Sequence, residues 1–125
     1  MSNHANSILA ANTHSRNKAR TDRRLICEFV ANMGASGCSD EEIERAIPSI
    51  HKNSIRLRRG ELQNKLREDG YVGYGFITDE LGECGLSSCG KRTQKYHVTA
   101  AGLRALGRPA TDFCADRQAV THAPQ

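Results

Sequence analysis

The stretch "CSDEEIERAIPSIHKNS", Cys38 to Ser54, constrains this chain more than any other, because both ends of one short helix are written into it. Ser39 followed by Glu42 is a capping box: the serine hydroxyl and the glutamate carboxylate each satisfy an N–H that the first helical turn leaves unpaired. Pro48 has no N–H to continue the ladder, so the helix stops there. Ile43, Ala46 and Ile47 give it one apolar face.

The flanking segments read as longer helices. Thr21 or Asp22 can cap the first, in which Leu25, Ile26, Phe29, Val30 and Met33 recur at helical spacing until the glycines of Gly34–Gly37 end it. Asn53 or Ser54 can cap the third. At 100° per residue its Ile55, Leu62 and Leu66 fall within about 40° of one another and face a core, with Asn53, Arg56, Gly60, Asn64 and Arg67 opposite. Leu57 also points outward, and Gly60 lowers helix propensity by about 1 kcal/mol relative to alanine. Arg59 lies about 40° from the core direction and either faces a ligand or braces the fold through Glu28, Glu44 or another acid. Glu61 reads as structural.

After Gly70 the pattern changes. "YVGYGFIT" suits a strand, "DELGECGLSSCGKRTQ" a long loop and "KYHVT" a second strand, while "TAAGLRAL" makes a short closing helix with Leu103 and Leu106 inward. The expected class is mainly α with a small β-hairpin, an α+β domain of three helices, a two-stranded hairpin and a short C-terminal helix. Its length of 125 residues suits one domain. The expected division is a disordered basic N-terminal arm over 1–20, the domain over 21–107 and a flexible tail over 108–125.

Charge is unevenly placed. Residues 1–20 hold three bases and no acid, 21–70 hold nine of each, and 71–125 hold six bases and five acids. Within the neutral middle block, Asp40, Glu41, Glu42 and Glu44 gather before a run from Lys52 to Arg67 with six bases against one acid. This split suits either a protein that turns one face toward a polyanion or two solvated helices that attract one another. The apolar run Ile8 to Ala11 is too short for a signal peptide or a membrane span, so a cytoplasmic protein without membrane contact is expected.

Catalysis finds little footing. "GYG" at Gly73–Gly75 is too short for a phosphate loop, and the five histidines are scattered. Cys38 beside Ser39 sits at a helix N-terminus, a place that lowers a thiol pKa, but no positioned base accompanies it. A non-enzymatic protein without a cofactor is expected. The odd set of Cys27, Cys38, Cys84, Cys89 and Cys114 without a secretory signal argues against a disulfide framework. Cys84, Cys89, His97 and Cys114 supply the four donors a tetrahedral zinc site needs, yet the short spacings usual for such sites are missing, and the expectation is no metal.

The succession "SDEEIERAI", "NSIRLRRGEL", "LREDGYV" and "YHVTAAGLRAL" resembles the small winged helix-turn-helix DNA-binding proteins of phages and bacteria, over roughly Thr21 to Leu106, about two-thirds of the chain. The resemblance implies a third helix whose N-terminal end enters the major groove, with His51, Lys52, Asn53, Ser54 and Arg56 nearest the bases. Asn pairs with adenine and Arg with guanine, which fits Asn53 and Arg56, whereas Lys52, Arg58 and Lys65 suit phosphates. Lys91, Arg92 and Lys95 make the second half of the wing basic, while Asp79, Glu80 and Glu83 make its first half acidic. "SRNKAR" at Ser15–Arg20 is either a minor-groove arm or a solvated tail. The implied function is sequence-specific binding of double-stranded DNA as a regulator of transcription or replication, phage or mobile-element encoded. The rival is a winged-helix interaction module that binds a host protein or blocks a host defence complex. A homodimer and a monomer on an asymmetric site are both compatible.

Overall fold

The computed structural model describes residues 3–63, 72–109 and 113–115, with side chains from Arg16 onward. The described residues form four α-helices and two small antiparallel two-stranded sheets, an α+β arrangement. The order is α1 (Asn3–Met33), a 3-10 turn (Gly34–Ser36), α2 (Asp40–Ala46), α3 (Lys52–Leu62), β1 (Ile77–Thr78), β2 (Cys84–Leu86), β3 (Arg92–Gln94), β4 (His97–Val98) and α4 (Ala100–Ala105).

The first helix begins well before Thr21. It is continuous from Asn3, so residues expected as an arm without regular structure are helical from there on. The physical reason is the absence of any glycine or proline before Gly34. Thr21 does not cap; its hydroxyl donates to the Asn17 carbonyl one turn back at 2.9 Å, and Asp22 pairs with Lys18. The buried stripe of α1 is Asp22, Ile26, Cys27 and Val30, whereas Leu25 is 40% exposed, contrary to its expected core role. Phe29 and Met33 are partly buried against the core.

Helix α2 follows its sequence signature. The Ser39 hydroxyl accepts from the Glu42 N–H and the Glu42 carboxylate accepts from the Ser39 N–H, with Ile43 fully buried. Ile47 closes the helix before Pro48 and is partly buried. Ala46, expected on the apolar face, is exposed.

Two features of α3 differ from expectation. Its N-cap is His51, whose Nδ1 accepts from the Asn53 N–H at 3.1 Å, so neither Asn53 nor Ser54 caps it. The helix also ends at Leu62, where Gln63 turns extended and bridges Ile77. Tertiary contacts take up the terminal carbonyls: Glu61 O accepts from Tyr74 N at 2.9 Å and Leu62 O from Phe76 N at 2.8 Å. Ile55 and Leu62 are buried as the helical wheel implies. Leu66, Asn64 and Arg67 lie outside the described residues, as does Lys65.

The β1 and β4 strands pair with Ile77 opposite Val98 and Thr78 opposite His97. Cys38, between α1 and α2, bridges Tyr96 on the other side through reciprocal N–H···O bonds of 3.1 and 2.7 Å. The segment expected as one long loop has its own ribbon, β2–β3, in which Cys84 faces Gln94 and Leu86 faces Arg92. Alternation in a three-residue strand is too brief to read from sequence.

Thr99 caps α4 through the Gly102 N–H, and Gly102 lies so close to the Phe76 carbonyl that a Cβ there would stand 2.2 Å from it. Leu103 is buried and Leu106 partly so. The 108–125 segment is not uniformly outside the domain: Cys114 and Ala115 are each 4% exposed, Cys114 within the core cluster. That core is mainly Ile26, Val30, Ile43, Ile55, Leu62, Ile77, Val98 and Leu103, where each fully buried aliphatic side chain contributes about 1.5–3 kcal/mol. Among the described residues, no helix is long and apolar enough to cross a membrane.

Candidate nucleic-acid interface

The residues expected to meet DNA divide into two groups. At the start of α3, His51, Lys52, Asn53 and Arg56 are exposed and Ser54 half-buried, so these five project from one turn and a half of helix. They surround a helix N-terminus, where unpaired N–H groups carry a partial positive charge. Lys52 makes no ion pair among the described residues. Arg56 is 61% exposed and only loosely engaged, its Nη2 lying 3.6 Å from Glu44 on α2. An exposed pair of that length contributes about 0–1 kcal/mol and exchanges readily for another anion.

The second group is turned inward. Arg58, expected on phosphate, donates from Nη1 to both carboxylate oxygens of Glu61 at 2.8 and 2.9 Å. Glu61 also receives Arg23 of α1 at 3.0 Å, and its side chain is only 12% exposed. Burial alone would push the Glu61 carboxyl up, but the hydrogen bonds and charges of Arg58 and Arg23 outweigh it and hold it below the ordinary carboxylate value. Glu61 is therefore structural, as its sequence context implies, and Arg58 is consumed with it.

Arg59 resolves to bracing, with Asp40 as the acid. Its Nε and Nη2 donate to the two Asp40 oxygens at 2.8 Å each, and Nη1 donates to Gln63 Oε1 at 2.8 Å. The guanidinium also lies 4.6 Å over the Tyr96 ring. Burial opposes its charge, yet the hydrogen bonds and charge of Asp40 raise the Arg59 pKa above its already high ordinary value. This clamp locks the start of α2, the end of α3 and the strand segment together. The result is a fixed orientation for the exposed turn of α3.

The ribbon β2–β3 is tethered rather than free at its tip. Glu41 of α2 accepts the Ser88 N–H with both oxygens at 3.2 Å and pairs with Arg45 at 2.8 Å. The Ser88 hydrogen bonds hold the Glu41 carboxyl below its ordinary value. Lys91 and Arg92 are exposed, while Lys95 is half-buried and donates to the Ser36 carbonyl at 3.3 Å. Of the three basic ribbon residues, two point to solvent and one anchors the ribbon base.

The thiols do not assemble. Cys84 and Cys89 are exposed on the ribbon, whereas Cys114 is buried in the core cluster. Among the described residues, no group of three His, Cys, Asp or Glu side chains is placed to hold a metal ion. His97 is fully buried, with Nε2 3.3 Å from Ala35 O and 3.4 Å from Glu83 Oε2. Cys38, whose position at a helix N-terminus suggests a lowered pKa, has the opposite: burial, then the charges of Glu42 and Asp40, push the thiol up to about 12. Burial likewise pushes Cys27 up to about 11.

Sequence reasoning did not anticipate Glu44 as the partner of Arg56 or Glu41 as the anchor of the ribbon tip. Both pairings are long in sequence, and only the short, acid-rich "SDEEIE" hinted that α2 supplies carboxylates to its neighbours. No family model, no curated protein and no solved structure matches this chain.

Proposed function

We propose that this chain is a winged helix-turn-helix protein that binds double-stranded DNA in the host cytoplasm and regulates transcription or replication by occupancy, without a catalytic step. The observation that carries the reading is the partition on α3: Lys52, Asn53 and Arg56 face solvent around the helix N-terminus, while Arg58 and Arg59 are spent on the fold. Charges that only solubilised the helix would not need to be sorted in this way. The Cys38–Tyr96 bridge, which adds a third short extended segment between α1 and α2 beside β4, supports the winged topology. In this reading Asn53 and Arg56 meet base edges, and Lys52, Lys91 and Arg92 meet phosphates.

The test is selection from a pool of random duplexes at low and at physiological salt, comparing the native chain with the double change Asn53→Ala, Arg56→Ala. Enrichment of one motif, abolished by the double change, is the expected result. The logarithm of affinity should fall by about 0.9 per phosphate contact against the logarithm of salt concentration. Retention of no duplex at either salt would sink the reading. One observation favours the rival, a protein-interaction module: Leu57, 50% exposed, and Leu86, 75% exposed, offer apolar contacts that DNA does not require. A host-protein complex that survives Arg56→Ala and fails with Leu57→Asp would establish it.

A further inference from the structure

The other end of α3 borders a different surface. Arg16, Arg20 and Arg23 stand at i, i+4 and i+7 on α1, one helix face over a rise of about 10 Å. They wall an open cleft of about 590 Å³ whose opposite side is built from Leu62, Phe76 and Leu106. Arg23 is committed to Glu61 at 3.0 Å and to the Tyr74 ring at 5.2 Å. Arg16 and Arg20 are exposed and have no ion-pair partner among the described residues.

We propose that this cleft docks an acidic peptide segment of a partner protein, its carboxylates on Arg16 and Arg20 and one apolar side chain seated against the partly buried Phe76 and Leu106. Charge complementarity sets the sign of the occupant, because two unpaired guanidiniums border the cleft, no acid among the described residues lines it, and Glu61, the partner of Arg23, already serves two arginines. The carbon-rich floor sets its second property, since a purely hydrophilic anion would leave that surface wet. A stacked nucleobase fits poorly. Tyr74, the most exposed ring at the cleft, already lies against Phe76 with centroids 5.2 Å apart and under the Arg23 guanidinium, so a base stacking there would compete with both. The cleft sits at the Leu62 end of α3, about 15 Å along the helix from Lys52, and is separate from the proposed DNA face.

The experiment is fluorescence anisotropy with the full chain and a labelled peptide in which glutamates flank a leucine pair. Two control peptides replace the leucines by alanine or the glutamates by glutamine. Saturable binding of the first peptide is expected, about tenfold weaker for either control and about tenfold weaker for the Arg16→Glu, Arg20→Glu protein. Because both arginines are exposed and unpaired, the double change should leave the thermal midpoint and duplex binding unaltered. Absence of saturable binding, or binding indifferent to the double change, would overturn the proposal. So would any of three losses caused by the double change: of oligothymidylate binding, of duplex binding, or of self-association. These reassign the surface to single-stranded nucleic acid, to the duplex or to a second copy.

Discussion

Replacing Arg59 by alanine tests whether the clamp between α2 and α3 sets the fold. The substitution removes two charge-assisted hydrogen bonds to Asp40, one to Gln63 and the stack on Tyr96, and leaves the Asp40 carboxylate without its fork. Both side chains of the pair are 18% exposed, so the cost lies between the 3–5 kcal/mol of breaking a buried pair and the ~0.5 kcal/mol of an exposed one. Adding about 1 kcal/mol for the cation–π contact gives an expected loss of about 3 kcal/mol. A domain of this length has about 6–15 kcal/mol to lose, so the variant should still fold. Urea unfolding of the native chain, Arg59→Ala, Asp40→Ala and the double variant closes a cycle whose coupling should be about 1.5–2 kcal/mol, with the denaturant slope unchanged. Arg59→Lys keeps the charge and loses the bidentate fork, and should recover less than half of the loss. An Arg59→Ala penalty below about 1 kcal/mol, or a coupling near zero, would refute the clamp.

Glu61→Gln should cost about 1–2 kcal/mol at pH 7, read from urea midpoints. Because the folded Glu61 pKa is depressed, its stabilisation is present above the unfolded value of about 4.3 and is lost as pH falls through the folded value; the native chain should lose stability on that acid limb more steeply than the variant. Two glycines should respond oppositely to alanine. Gly60→Ala, in a helix with nothing within 4 Å of the added Cβ, should stabilise by up to about 1 kcal/mol, and a matching fall in duplex affinity would mean that a ligand approaches there. Gly37→Ala, at φ 66° with the new Cβ 2.5 Å from His97 Nε2, should destabilise by about 2–4 kcal/mol in thermal melts.

Local signals located the elements whose ends are decided by their own residues. The Ser39–Glu42 box and Pro48 bound α2, Thr99 starts α4, and the Ile55–Leu62 spacing picks the inner face of α3. Caps and helical periodicity act within a few residues, so one sequence displays them. The candidate DNA face was half legible for the same reason: the wheel separates Arg56 from Ile55, but it is blind to which acid each arginine meets.

Tertiary contacts decided the rest. The end of α3 at Leu62 depends on Tyr74 and Phe76 taking its last carbonyls, an exchange among residues more than ten positions apart. The fates of Arg58 and Arg59 depend on Glu61, Asp40 and Tyr96 coming together, and the ribbon tip on Glu41 reaching Ser88. The amino-acid sequence by itself determined where hydrogen-bonded turns can begin and stop and which helix faces are apolar, because those preferences are properties of neighbouring residues. Only the folded chain decided which charges are neutralised and which remain for a ligand, because an ion pair forms where packing of the apolar core brings two distant side chains within reach.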